Sequence, residues 1–396
     1  MESISHPRNC QSLVLGSLFL SLVLSASWAL GNTATPSPAE NPPPSGLGFK
    51  VKHATEFDRL FRQKDGWIGG DAACSWALGN GRILWLFGDS LIGTVRHGKR
   101  QIDSMVNNTV AIQSDPNPKT ASIRFFHGGD KSHPSAFIRP EKGAGWFWLS
   151  GGTIRNSKGL YLFMPRIVNA PGPQGWNFRV QGMTLGKVSN PDDDPLDWKI
   201  QQFEVPCFRN TSREEWSFGA CAIRDGAWFY IYGFGHDKNA GNRHLLLARS
   251  REENLERFSS WEFLSHAGWQ RDFKKATALA DHIGTEFSVS WLPGANRYVL
   301  VSTENGLSEK IIMRSALSPE GPWSNAATIC RTREPHGVHG TFCYAAKAHP
   351  ELARRTDELI ISYVRNASDL GALNRWPGIY TPKFLRVSIS GDRQIP

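Results

Sequence analysis

From Trp67 onward, short runs of alternating apolar and small or polar residues are broken repeatedly by Gly, Pro, Asn and Asp. Period-two alternation with frequent turn residues predicts short strands rather than helices. The clearest unit spans Gly69 to Asp89, where two such runs flank Gly79-Asn80-Gly81, a hairpin signature. A three-residue loop with Gly81 in the left-handed region pairs Leu78 with Arg82. Ala77 then faces Ile83, Ser75 faces Trp85, Ala73 faces Phe87 and Asp71 faces Asp89. Opposed residues lie roughly 4.5–5.5 Å apart at Cα, so two carboxylates meet at one end of the hairpin. A two-residue Asn80-Gly81 turn would slip the register by one and point the aspartates apart.

The pattern recurs. Second strands rich in bulky residues begin at Leu160, Trp228, Arg297 and Glu358, each answering a run of small or polar residues. Leu196-Asp197-Trp198, Ser259-Ser260-Trp261 and Gly321-Pro322-Trp323 follow the second, third and fourth hairpins, with a further strand between hairpin and Trp. The unit is therefore four strands, repeated at about 60–80 residues, which predicts an all-β, five-bladed β-propeller of four-stranded antiparallel blades. The first blade carries a long tail from Asp115 to Gly145. Small residues on the first strand of each unit fit beside a crowded central axis. Helix-like spacing from Phe49 to Lys64 predicts a short lead-in element.

The amino terminus adds a location. Arg8 precedes an apolar stretch from Leu13 to Leu24, too short to span a membrane comfortably, and small residues follow it. Residues 1–31 read as a signal peptide, 32–47 as a disordered Pro/Ser/Thr/Ala linker, and 48–396 as a single propeller domain. The expected location is secreted or periplasmic, with no stable membrane insertion after cleavage. The net charge of +9 is scattered, without a basic helix, a zinc-finger spacing or an RNA-binding signature, so nucleic acid is not an expected partner. Five cysteines follow the leader; Cys330 with Cys343, or Cys207 with Cys221, are possible pairs. No cofactor or metal is expected: His236-Asp237 and Asp281-His282 lack a third ligand, and Asp192-Asp193-Asp194 reads as a solvated turn.

Inner strands of a propeller converge on a channel whose mouth often binds ligands. Asp71, Gly151, Gly219, Glu286 and Tyr344 fall at the mouth ends of the five inner strands, and acids aimed at a common axis are costly unless solvated, paired or used. Cleaving a glycosidic bond needs two carboxyl groups, one protonated. Asp71 and Asp89 are the candidate pair, with Glu286 assisting or acting as the acid instead. Asn108, Trp216 and His349 are candidate sugar contacts, weighed against strand-end, core and structural roles.

Gly70-Asp71, Leu86-Phe87-Gly88-Asp89-Ser90, Val106-Asn107-Asn108-Thr109-Val110, Ala348-His349-Pro350 and Ile361-Ser362-Tyr363 resemble the domain-of-unknown-function family 4185. That family is similar to five-bladed propeller glycoside hydrolases and includes endo-acting arabinanases of bacterial wall polysaccharides. The resemblance covers Trp67 to Ser390 and implies an acidic pair at Asp71 and Asp89. The leading expectation is an exported glycoside hydrolase acting on an arabinan-like or other cell-wall polysaccharide. The alternatives are a non-catalytic carbohydrate-binding propeller of the cell envelope and a protein-interaction propeller. The Ser-x-Asp-x-Gly-x-Thr-Trp boxes of sialidase-type propellers are absent.

Overall fold

The computed structural model describes residues 47–172, 176–332 and 340–390. The leader and all but the last residue of the linker lie outside the described residues. Leu47, read as linker, is buried in a core cluster with Val387 and Ile389.

The backbone is built of antiparallel meanders that follow one another along the chain. Cys74–Ala77, Ile83–Phe87, Thr109–Gln113 and Ile123–Phe126 form the first. The hairpins expected from Leu160, Trp228 and Arg297 open the next three, in Gly159–Asn169, Trp228–Asp237 and Arg297–Thr303. The last combines Thr341–Ala348, Glu358–Ala367 and Pro382–Ser390, and its outer strand is Gly48–His53 from the start of the chain. The first folded strand thus covers the last sheet's open edge and ties the two ends together. Phe49 belongs to this strand and not to a helical lead-in. The helix is only Thr55–Asp58, followed by a tight turn at Arg59–Phe61, and it buries Phe57 and Phe61 against Phe384.

The core explains why the second strands carry long runs of bulky residues. Leu84 and Leu86 face Leu160, Leu162 and Met164 of the second meander. Ile83, Trp85 and Phe87, pointing the other way, face Ile360 and Phe384 of the last. Tyr161 and Phe163 meet Phe218, Ile231 and Leu246; Tyr230 and Tyr232 meet Val289 and Leu300; Val299 and Val301 meet Leu359 and Ile361. Each sheet is covered on both faces, so alternation gives way to a continuous apolar run. Burial of each such side chain is worth about 1.5–3 kcal/mol. Sheets packed face to face in chain order, with the last against the first, form the all-β propeller architecture that the repeat predicts. The repeated tryptophans sit at the start of outer strands, where Trp261 and Trp323 are buried.

One element has no counterpart in the sequence reading. After Phe87 the chain leaves the first sheet and forms Ser90–Arg96 and Lys99–Val106, which pair with each other and with Asp65–Gly70 in a separate sheet. The long tail after Asp115 supplies the fourth strand of the first meander, Ile123–Phe126. Asp89 stands where the chain passes from one sheet to the other.

Candidate active site

The hairpin register is the one its turn predicts. Ser75 pairs with Trp85 and Ala77 with Ile83, and Leu78 N–H donates to the Arg82 carbonyl at 2.8 Å. Asn80 and Gly81 both take positive φ, 61° and 74°, as a tight loop of this length requires. At the other end, Asp71 N–H donates to the Asp89 carbonyl and Gly88 N–H to the Asp71 carbonyl, both at 3.3 Å. The two aspartates are therefore neighbours, and both are half-buried.

Their partners come from elsewhere in the chain. Oδ2 of Asp71 accepts hydrogen bonds from the hydroxyls of Tyr344 (2.9 Å) and Tyr380 (3.0 Å). Oδ1 of Asp89 accepts from Asn107 Nδ2 (3.2 Å) and Trp148 Nε1 (3.0 Å). Among the described residues no group bonds the remaining oxygen of either carboxyl, and neither oxygen is sealed from solvent. Each acid is thus held by one oxygen and open at the other.

Two glycines permit this approach. A Cβ on Gly88 would lie 2.5 Å from Asp71 Oδ1, and one on Gly69 would lie 2.6 Å from the Tyr380 carbonyl. The Tyr380 loop is pinned by buried Arg100, which donates to the carbonyls of Ile68 (2.9 Å), Leu373 (2.9 Å) and Pro377 (3.0 Å). Its guanidinium pKa is brought down to about 10 by burial.

Burial also sets the electrostatics of the pair. It pushes the Asp71 carboxyl well above the usual carboxylate range, and the charges of Asp89 and Glu286 push the same way; the two phenols oppose them. Asp89 is raised to about 6, by burial against the opposing bonds from Trp148 and Asn107. Desolvation and a like charge disfavour ionisation, whereas donors to the carboxylate favour it.

The structure brings Asp71 and Asp89 together and places Glu286 within electrostatic reach of Asp71. Oε2 of Glu286 is engaged at 2.8 Å by Lys347, which also donates to the Ala72 carbonyl at 2.7 Å and lies 3.4 Å from Cys74 Sγ. Glu286 is therefore ion-paired to Lys347 and not an unpartnered acid.

The three expected sugar contacts fall elsewhere. Asn108 is fully buried: its Nδ2 donates to the Ile138 and Phe147 carbonyls, both at 2.9 Å, and its Oδ1 accepts from Ile138 N–H at 2.8 Å. It clamps the first sheet to the second, and Asn107 is the residue that reaches an aspartate. His349 is 1 % exposed, under Trp85 and Phe384, with Nδ1 against Ser75 Oγ and Nε2 2.7 Å from Ser362 Oγ. Burial brings its pKa down to about 3; it is a neutral core residue. Trp216 lines a separate cleft on the third meander.

Sequence reading missed Tyr380, Trp148, Asn107 and Lys347 as parts of the site. Lys347 left a signal, a lone charge in the small-residue run Ala345-Ala346-Lys347-Ala348. Glu215 was also missed; its Oε1 is buried without a partner, and burial raises its pKa against the pull of Lys238 and Arg243. All five cysteines of the described residues are free thiols, so neither expected pair is formed. Among the described residues no helix is long and apolar enough to cross a membrane.

An all-β propeller with a half-buried acid pair at the end of its first hairpin is the class of molecule these features define. The chain belongs to the domain-of-unknown-function family 5005, whose model matches residues 54–389. This corrects the resemblance to family 4185: the model that matches is that of a different family. Among solved structures, the chain is similar to a Bacteroides ovatus protein provisionally named a hydrolase, at 20% identity and a TM-score of 0.68, covering 86% of this chain and 90% of that one. More distant are a family 117 glycoside hydrolase of the marine bacterium Zobellia galactanivorans (13%, TM-score 0.49, 88% and 92% covered) and a GH43_1 enzyme of Xanthomonas citri complexed with xylotriose (12%, 0.44, 85% and 93%). No curated protein matches the chain.

Proposed function

We propose that this protein is an exported glycoside hydrolase that cleaves a polysaccharide with Asp71 and Asp89. The observation that carries the reading is the pair itself: adjacent carboxyls, each anchored by one oxygen and open at the other, with pKa values raised to different extents. Two titratable groups whose environments separate their pKa values divide into acid and base. Asp71, pushed well above the usual carboxylate range by burial and by the charges of Asp89 and Glu286, is the acid and gives its proton to the glycosidic oxygen as the C–O bond breaks. Asp89, ionised above pH of about 6, receives the proton of the attacking water or bonds the anomeric carbon itself. Glu286 helps Asp71 hold its proton, and Lys347 balances the added charge. The name carried by the Bacteroides ovatus protein agrees with this reading. Export rests on the apolar leader from Leu13 to Leu24.

The test is a screen of the purified mature chain against wall and plant polysaccharides by release of reducing ends, with Asp71→Asn as control. Hydrolysis by the wild type, lost in the variant, is the expected result. Binding without turnover would support the carbohydrate-binding alternative, and no affinity for any glycan would remove both readings.

A further inference from the structure

The third meander carries a cleft of about 660 Å³ that the acid pair does not explain. Strand register makes its floor. Arg209 pairs with Trp216, Trp216 with Gly235, and Gly235 with His244, and cross-strand partners project from the same face of a sheet. Trp216 and His244 thus flank a gap left by Gly235. Trp216 is half-buried; part of it packs on the aromatic core below and the rest lines the cleft.

The rim is polar but balanced. Arg209 and Arg213 stand against Glu214 and Asp237, and Arg209 Nε is paired with Glu214 Oε1 at 2.6 Å. Such a rim offers fixed donors and acceptors side by side without the net charge that a phosphate or sulfate would need. An aromatic floor under a neutral, hydrogen-bonding rim suits one ligand chemistry, an uncharged sugar with an apolar ring face and vicinal hydroxyls.

The cleft is joined to the acid pair by continuous contacts. Trp148, which donates to Asp89, meets Phe178 edge-on at 4.9 Å between centroids. Phe178 opens the strand whose Val180 carbonyl accepts from Asn210 Nδ2 at 3.0 Å. Asn210 lies beside Arg209 on the strand paired with Glu215 and Trp216. We infer that the Trp216 cleft is a second saccharide-binding site for the same glycan chain. It grips uncharged sugar units beyond those flanking the bond to be cut, so the substrate is a long chain rather than a disaccharide.

This inference rests on the hydrolase reading, and the experiment separates the two. The probes are oligosaccharide ladders of arabinan, xylan, galactan and glucan, from disaccharide to octasaccharide. Affinity is measured for Asp71→Asn, and for Asp71→Asn combined with Trp216→Ala or with Arg209→Ala. Arg209 sits on an edge strand of two residues, so its variant keeps the fold if Trp216→Ala does not. The expected result is affinity that rises with chain length and falls at least tenfold for the long members in both double variants, with the disaccharide unchanged. Equal affinity of single and double variants across the ladder overturns the second site while leaving the acid pair standing. Hydrolysis by the wild type without length dependence does the same. No binding and no hydrolysis of any ladder overturns the hydrolase reading and the inference with it.

Discussion

Two polar clusters hang on the same hairpin, four residues apart, and they differ in one respect. At its open end, Asp71 and Asp89 hold partners on one oxygen each and keep the other in solvent. One layer down, buried His349 has both ring nitrogens taken. Ser75 bridges His349 Nδ1 and Glu351 Oε1, while Ser362 takes His349 Nε2. Both clusters are enclosed by aromatic side chains and both shift their titratable groups strongly. A shifted pKa alone therefore does not mark a site. Hydrogen-bonding capacity left facing solvent is needed as well, because a group such as His349, with every polar atom taken, offers a ligand nothing.

Exchanging roles between the clusters would break this comparison. The largest expected effect is on turnover: Asp71→Asn and Asp89→Asn each lower kcat on the identified polysaccharide by roughly 10²–10⁴-fold, the range for loss of a general acid or base. The same variants stabilise the fold at neutral pH. A carboxyl whose folded pKa is raised binds its proton more tightly when folded, so wild-type stability falls as pH rises from the unfolded value through the folded one. For Asp89 that window runs from the ordinary carboxylate value to about 6. Discounted for partial exposure, the gain in Asp89→Asn at pH 7 is about 1–2 kcal/mol and vanishes at low pH. Melts across pH check it; destabilisation at neutral pH would mean that the acids hold the fold.

His349→Ala should do the reverse. It opens a cavity beneath Trp85 and strips partners from two serines, costing about 2–4 kcal/mol in denaturant melts. In the surviving folded protein, glycan affinity should be unchanged; a lost affinity with a normal melt would return His349 to the mouth.

Gly88→Ala sharpens the comparison with one methyl group. The new Cβ meets Asp71 Oδ1 at 2.5 Å, so a drop in kcat of about tenfold is expected, worth about 1.4 kcal/mol, with a smaller change in melting. Smallest is Tyr380→Phe. Its hydroxyl favours ionised Asp71, so removing it moves the alkaline limb of the pH–rate profile upward while the acid limb stays near 6, set by Asp89. A shifted acid limb instead would exchange the two aspartates' roles.

The hairpin and the repeat were legible because they are local. Turn residues fix register, and a run of bulky residues reports burial on both faces, whatever the sheets touch. The wrong choice between Asn107 and Asn108 shows where that stops. Both lie in the short connection between the strand ending at Val106 and the one starting at Thr109, and only the side sheet, inserted after Phe87, decides which of them meets Asp89. His349 looked like a mouth residue because nothing nearby in the chain reveals that Ser75 and Trp85 close over it.

Chain order alone fixed the repeated hairpins and the meeting of two acids across one turn, since these follow from neighbours a few residues apart; it gave neither the side sheet nor the five and six strands of the second and third sheets. Only the tertiary structure decided what surrounds those acids. Tyr344 and Tyr380 reach Asp71 across 273 and 309 residues, and Trp148 reaches Asp89 from the next sheet. Burial and hydrogen bonding, which set a carboxyl's proton affinity, depend on that three-dimensional company and not on the order of residues along the chain.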